Sequence, residues 1–203
     1  MIAAVHRRRG RVMVLGAALG ALGASLAACS DGAHAPTVTP ASAPSTGPAL
    51  RFAYQGIDGR PISTEALINR VSVIGFLTTY DVHSQAEARF LALLERHHTP
   101  RLNVAALMLE APENRPLVEA FVSSLGLTYP VAIADAATIA GDGPFTGLHN
   151  VPSVVILDRA GHEAWRHVGF VGEGALEAAV RAVEATSPPP KEVPVEVGAG
   201  SGG

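Results

Sequence analysis

The chain has 203 residues, 48% of them apolar and 16% charged, enough for one domain with a sizeable core and too apolar for a wholly disordered chain. With 15 basic and 18 acidic residues the formal net charge is −3, which excludes the basic field that nucleic-acid binding needs. Its single cysteine, Cys29, cannot close an intramolecular disulfide, form a Cys-x-x-Cys pair or build a thiolate zinc cage.

Residues 1–28 read as a targeting segment. Arg7, Arg8, Arg9 and Arg11 form a basic n-region, and Val12 to Ala28 is apolar and rich in small residues. The segment runs into Leu26-Ala27-Ala28-Cys29, which resembles a bacterial lipobox. That resemblance implies cleavage before Cys29 and lipid on its thiol. The arginine run also resembles a twin-arginine export signal. An uncleaved apolar anchor is the other reading, since about 20 apolar residues span a bilayer. Cleavage removes four arginines and no acid, leaving 11 basic and 18 acidic residues and a side-chain charge of −7. Acyl chains, not attraction to anionic headgroups, then hold such a domain at a membrane. Ser30 follows the cysteine, with no Asp there, which resembles the sorting pattern for outer-membrane delivery. The expected location is the bacterial cell envelope, on its periplasmic face. Residues 29–48 and 186–203 are rich in Pro, Ser, Ala, Thr and Gly. They are expected to be a disordered tether and tail, with 49–185 as the folded domain.

Within that domain, Leu50 to Gln55 is a strand candidate, and Ile57-Asp58-Gly59-Arg60 carries a turn signal. Ser63 to Ile68 fits one helical turn. Val71 to Leu77 is a β-branched apolar run, the pattern of a strand buried on both faces. Ser84-Gln85-Ala86-Glu87 has capping-box spacing and opens a helix that runs to His97-His98. Leu102 to Leu109 is a second apolar strand, Pro116 to Leu125 a helix stopped by Gly126, and Tyr129 to Ala134 a third strand. Gly141-Asp142-Gly143-Pro144 reads as an irregular loop without a phosphate-loop continuation. Pro152 to Leu157 is a fourth strand. Asp158 to Gly161 turns into a hairpin arm, His162 to Phe170, in which Trp165 is expected to be a structural anchor. Glu173 to Ala185 closes the domain as an amphipathic helix. The order implies an α/β fold with a mixed central sheet and helices on both faces.

Three stretches carry a family resemblance: Val71–Leu77 followed by Thr78 to Ser84, Ala120-Phe121 through Leu125-Gly126-Leu127-Thr128-Tyr129-Pro130-Val131, and Val151-Pro152-Ser153 leading into Ile156 to Gly161. Together they resemble the thioredoxin-like envelope proteins of the TlpA/ResA type over residues 49–185. The resemblance implies a thioredoxin-like fold, with Pro152 as the family's cis-proline. The family's Cys-x-x-Cys falls on Asp81, Val82, His83 and Ser84, so both thiols are missing. Dithiol exchange needs a thiolate attacking sulfur, and no residue of the domain supplies one. The fold is expected without the activity. A carboxylate at Asp81 and a hydroxyl at Ser84 suit the helix N-terminus instead as caps.

Two functional expectations follow from different classes. In the first, Tyr80, Asp81, Val82, His83, Ser84, Val151 and Pro152 form a binding surface for a protein or peptide segment, and no catalytic residue or cofactor is required. In the second, Asp81, His83 and His149 converge as ligands for a divalent metal. A structural lipoprotein without a groove is a third reading. A nucleophilic Ser84 would need a base and an oxyanion pocket. His97 and His98, as adjacent helix positions, are expected to face apart. Glu110, Glu113 and Asp135 are expected to be solvated loop carboxylates.

Overall fold

The computed structural model describes residues 47–187. The lipobox with Cys29, the tether up to residue 46 and the tail from residue 188 lie outside the described residues. Strands β1 (Ala53–Gln55) and β2 (Pro61–Ser63) form a small hairpin, followed by α1 (Thr64–Leu67). Then come β3 (Val71–Leu77), α2 (Val82–His98), β4 (Leu102–Met108), α3 (Arg115–Leu125), β5 (Val131–Ile133), α4 (Ala136–Ala140), β6 (Ser153–Leu157), β7 (Glu163–Val168) and α5 (Glu173–Thr186). The main sheet has the order β5-β4-β3-β6-β7. Strands β3, β4 and β5 run parallel, and β6 and β7 pair antiparallel.

The apolar run of β3 is buried at every position, because successive side chains go to opposite faces and both are covered. Val71, Val73 and Leu77 join one core with residues of α2, α3 and α5. Ile74 and Phe76 join the other, with Phe52, Tyr54, Ile62, Leu67, Phe145 and Leu148. Gly75 is required by the first core: a Cβ there would come within 2.6 Å of Leu91 Cδ1 on α2, overpacking of a kind that costs about 1–3 kcal/mol.

The expected strands are present with trimmed ends, and the expected helices with ends shifted by one to three residues. Leu50 to Phe52 lies outside the first strand, and Tyr129, Pro130 and Ala134 lie outside β5. Helix α4 is an addition. Asp135 caps it, accepting from Thr138 N at 2.8 Å, and Gly141 ends it in the left-handed conformation. The following loop is not merely irregular: Phe145 and Leu148 enter the core, and Phe145 packs edge-on against Phe76 at 5.0 Å. Trp165 is buried in β7, as its anchoring role requires. No helix among the described residues is long and apolar enough to cross a membrane.

Candidate functional site

Phe76 of β3 pairs with Ser153 of β6. Continued by one residue, this register sets Leu77 beside Pro152. The chain leaving β3 and the chain entering β6 therefore meet at one end of the sheet. The Val151–Pro152 bond is cis, as the family resemblance implies; Thr99–Pro100 is cis as well. Gly169 N donates to Pro152 O at 2.9 Å, which brings Val168 to Val171 to the same end.

Helix α2 starts three residues earlier than the capping-box reading places it. Its N-cap is Asp81, in an extended conformation, and the Oδ2 atom accepts from Ser84 N at 2.7 Å. Ser84 thus lies inside the first turn, fully buried, with Oγ accepting from Thr78 N at 3.2 Å. Partial burial opposes the charge of Asp81, but hydrogen bonds from the Ser84 backbone and hydroxyl and from His83 outweigh it, and its pKa lies below the ordinary value. Both positions matched to the family's cysteines are therefore occupied by one hydrogen-bonded cap. Neither offers a free nucleophile, and the Ser84 hydroxyl is sealed from solvent.

Two carboxylates that the sequence did not single out for the site support this end of the sheet. Glu87, one turn into α2, is fully buried and accepts from Val171 N at 3.0 Å through Oε2, while Oε1 has no hydrogen-bond partner. Burial, opposed by the Val171 N–H, pushes its pKa up to about 7. Glu110 is 3% exposed, contrary to the expectation of a solvated loop residue. Its Oε1 accepts from Thr79 N, and its Oε2 from Asn114 Nδ2 at 3.1 Å. A buried carboxylate must find donors, and those it finds hold the turn that carries Tyr80. Glu113 and Asp135 are exposed, as expected.

Above this scaffold the surface is apolar. Tyr80 is 77%, Val82 68% and Phe170 41% exposed. The Phe170 ring lies 5.9 Å from the His83 imidazole and 5.6 Å from Phe90. Phe170 thus joins the α2 turn to the cis-proline loop. Sequence reasoning placed it at the end of a hairpin arm and gave it no role. Its only sequence signal is an aromatic flanked by Gly169 and Val171, just beyond a strand.

The expected metal trio does not assemble. His83 Nδ1 is 3.6 Å from Asp81 Oδ1, but His149 is exposed and lies against Gly141, the C-cap of α4. Among the described residues, the group that brings three possible ligand atoms within 4.8 Å of one another is His97, Glu173 and Glu177. The extra residues of α4 and its loop carry His149 with them, which the sequence distance to Pro152 does not reveal.

No family model matches the chain, and no curated protein does. Solved structures do. A thioredoxin-family thiol:disulfide interchange protein from Chlorobium tepidum has a TM-score of 0.59 at 20% identity, covering 67% of this chain and 94% of that one. A DsbF homologue from Corynebacterium diphtheriae has a TM-score of 0.60 at 15% identity, over 67% and 86%. A secreted Mycobacterium tuberculosis disulfide oxidoreductase has a TM-score of 0.55 at 18% identity, over 65% and 96%. The fold is that of thioredoxin. At these identities the likeness carries the fold alone, and the single cysteine lies outside the described residues.

Proposed function

We propose that this chain is a thioredoxin-fold module that binds a protein or peptide segment without thiol–disulfide chemistry, held in the bacterial cell envelope by lipid on Cys29. The observation that carries the reading is the exposed apolar surface of Tyr80, Val82 and Phe170 around a turn whose two former cysteine positions are closed into a helix cap. Monomeric proteins seldom keep contiguous exposed apolar surface without use, and aromatics are favoured anchors at interfaces. Val151 borders the same surface and offers its backbone for pairing with an extended segment; Pro152 has no N–H and its carbonyl accepts from Gly169 N. The lipobox and the secreted character named for two similar structures support an envelope location.

Photo-crosslinking in the producing cell tests this. Benzoylphenylalanine at Val82 and at Phe170 is expected to give the same discrete adducts. At Leu117, equally apolar and exposed on α3, it is expected to give none. Adducts at Leu117 alone would move the binding face elsewhere.

A further inference from the structure

The C-terminal end of α2 faces the start of α5, and three possible metal ligands meet there. One donor atom each from His97, Glu173 and Glu177 lie within 4.8 Å of one another. Glu173 and Glu177 stand four apart on α5, so their side chains share one face, and the imidazole comes from another helix.

The neighbouring His98 lies against the same carboxylate. Its Nε2 is buried without a hydrogen-bond partner and lies 3.9 Å from Glu177 Oε1. Its Nδ1 contacts Arg101 Nη2 at 2.5 Å. A guanidinium only donates, so Nδ1 is the acceptor of this contact, and Nε2 is the ring nitrogen that lies beside Glu177. Arg101 is held in turn by Glu184 Oε2 at 3.1 Å. Glu184 and Arg101 thus hold the His98 ring beside the Glu177 carboxylate, the place that outer groups take behind metal-binding side chains. Both imidazoles flank Glu177, against the expectation that adjacent helix positions face apart. His97 and Glu173 are exposed, which leaves an entry path from solvent. Two neighbouring carboxylates repel each other, and Arg181, 3.3 Å from Glu177 Oε2, offsets only part of this.

We propose that His97, Glu173 and Glu177 bind a zinc ion that bridges α2 and α5, with His98 as a positioning residue behind Glu177. One imidazole nitrogen and two carboxylate oxygens are ligands zinc accepts, and three protein ligands leave a fourth tetrahedral position to water. The site lies at the opposite end of α2 from Asp81 and stands independently of the binding surface described above.

The test is a zinc titration of the full chain, purified in detergent without an affinity tag. It is followed by calorimetry and by the side-chain nitrogen resonances of the histidines. One zinc ion per chain is expected, with the largest shift at His97. His97→Ala and Glu177→Gln are each expected to weaken binding at least tenfold, and His98→Ala roughly tenfold; His83→Ala and His149→Ala leave it unchanged. Melting of the zinc-free variants checks their folding, and the histidine spectrum of the chain with its ligands intact decides the matter if a variant unfolds. No saturable uptake, unchanged affinity in His97→Ala, or shifts at His83 and His149 instead of His97 would each overturn the proposal.

Discussion

At the N-terminal end of α2 the capping groups pair with one another, although Glu87 Oε1, one turn further in, and Thr78 Oγ1 have no hydrogen-bond partner. Asp81 takes the Ser84 N–H, Ser84 Oγ takes the Thr78 N–H, and what remains exposed is the apolar surface of Tyr80, Val82 and Phe170. At the C-terminal end the polar groups outnumber their partners. His97, Glu173 and Glu177 crowd together, and His98 Nε2 lies 3.9 Å from Glu177 Oε1 without a hydrogen bond. One helix thus has an exposed apolar surface around a closed cap at one end and a crowded group of possible ligand atoms at the other.

Variants along α2 break or sharpen that contrast. The largest expected effect belongs to Glu87, the buried carboxylate whose pKa burial raises from 4.5 to about 7. Below the unfolded value both states hold the proton. Between about pH 4.5 and 7 the unfolded chain ionises first, so stability falls as pH rises and levels off above that window. The loss amounts to about 3 kcal/mol over this range. Glu87→Gln, which cannot ionise, is expected to remove this slope. Urea unfolding at pH 4.5 and 7.5, followed by the fluorescence of the single tryptophan Trp165, measures it as a change in the difference between variant and parent. An unchanged difference across that range would mean that Glu87 is not held protonated.

A smaller effect is expected at the cap. Asp81→Ala removes the acceptor of the Ser84 N–H and should cost about 1 kcal/mol at neutral pH. Because the Asp81 pKa is depressed, its contribution is present above the ordinary carboxylate value and is lost as pH falls through the folded one. The same unfolding series therefore shows the penalty of Asp81→Ala shrinking in acid. A penalty that persists unchanged below pH 3 would remove the charge from the explanation.

The alternation of apolar strands and amphipathic helices made the sheet and its layers legible, because each element's period follows from which faces are buried. Pro152 could be placed through the family resemblance. The helix start at Asp81 was harder: Ser84 and Glu87 match a capping box by spacing, but the backbone leaves β3 so that Asp81 caps first. Helix α4 had its signals, Asp135 before and Gly141 after, in a stretch too short for periodicity to register. Glu87 and Glu110 were illegible as buried groups, since the donors that hold them, Val171 N and Thr79 N, lie 84 and 31 residues away. The exposure of Phe170 and the convergence of His97 with α5 depend likewise on tertiary packing that a one-dimensional pattern does not carry.

The claim that the fold persists here without its sulfur chemistry is tested most directly by insulin reduction with dithiothreitol, comparing the full chain with its Asp81→Cys/Ser84→Cys variant. The natural chain is expected to run at the uncatalysed rate. The variant, with both thiols restored at the start of a helix where thiolates are stabilised, is expected to run at least tenfold faster. Catalysis by the natural chain, or a folded double variant that forms its disulfide yet remains inactive, would contradict the account.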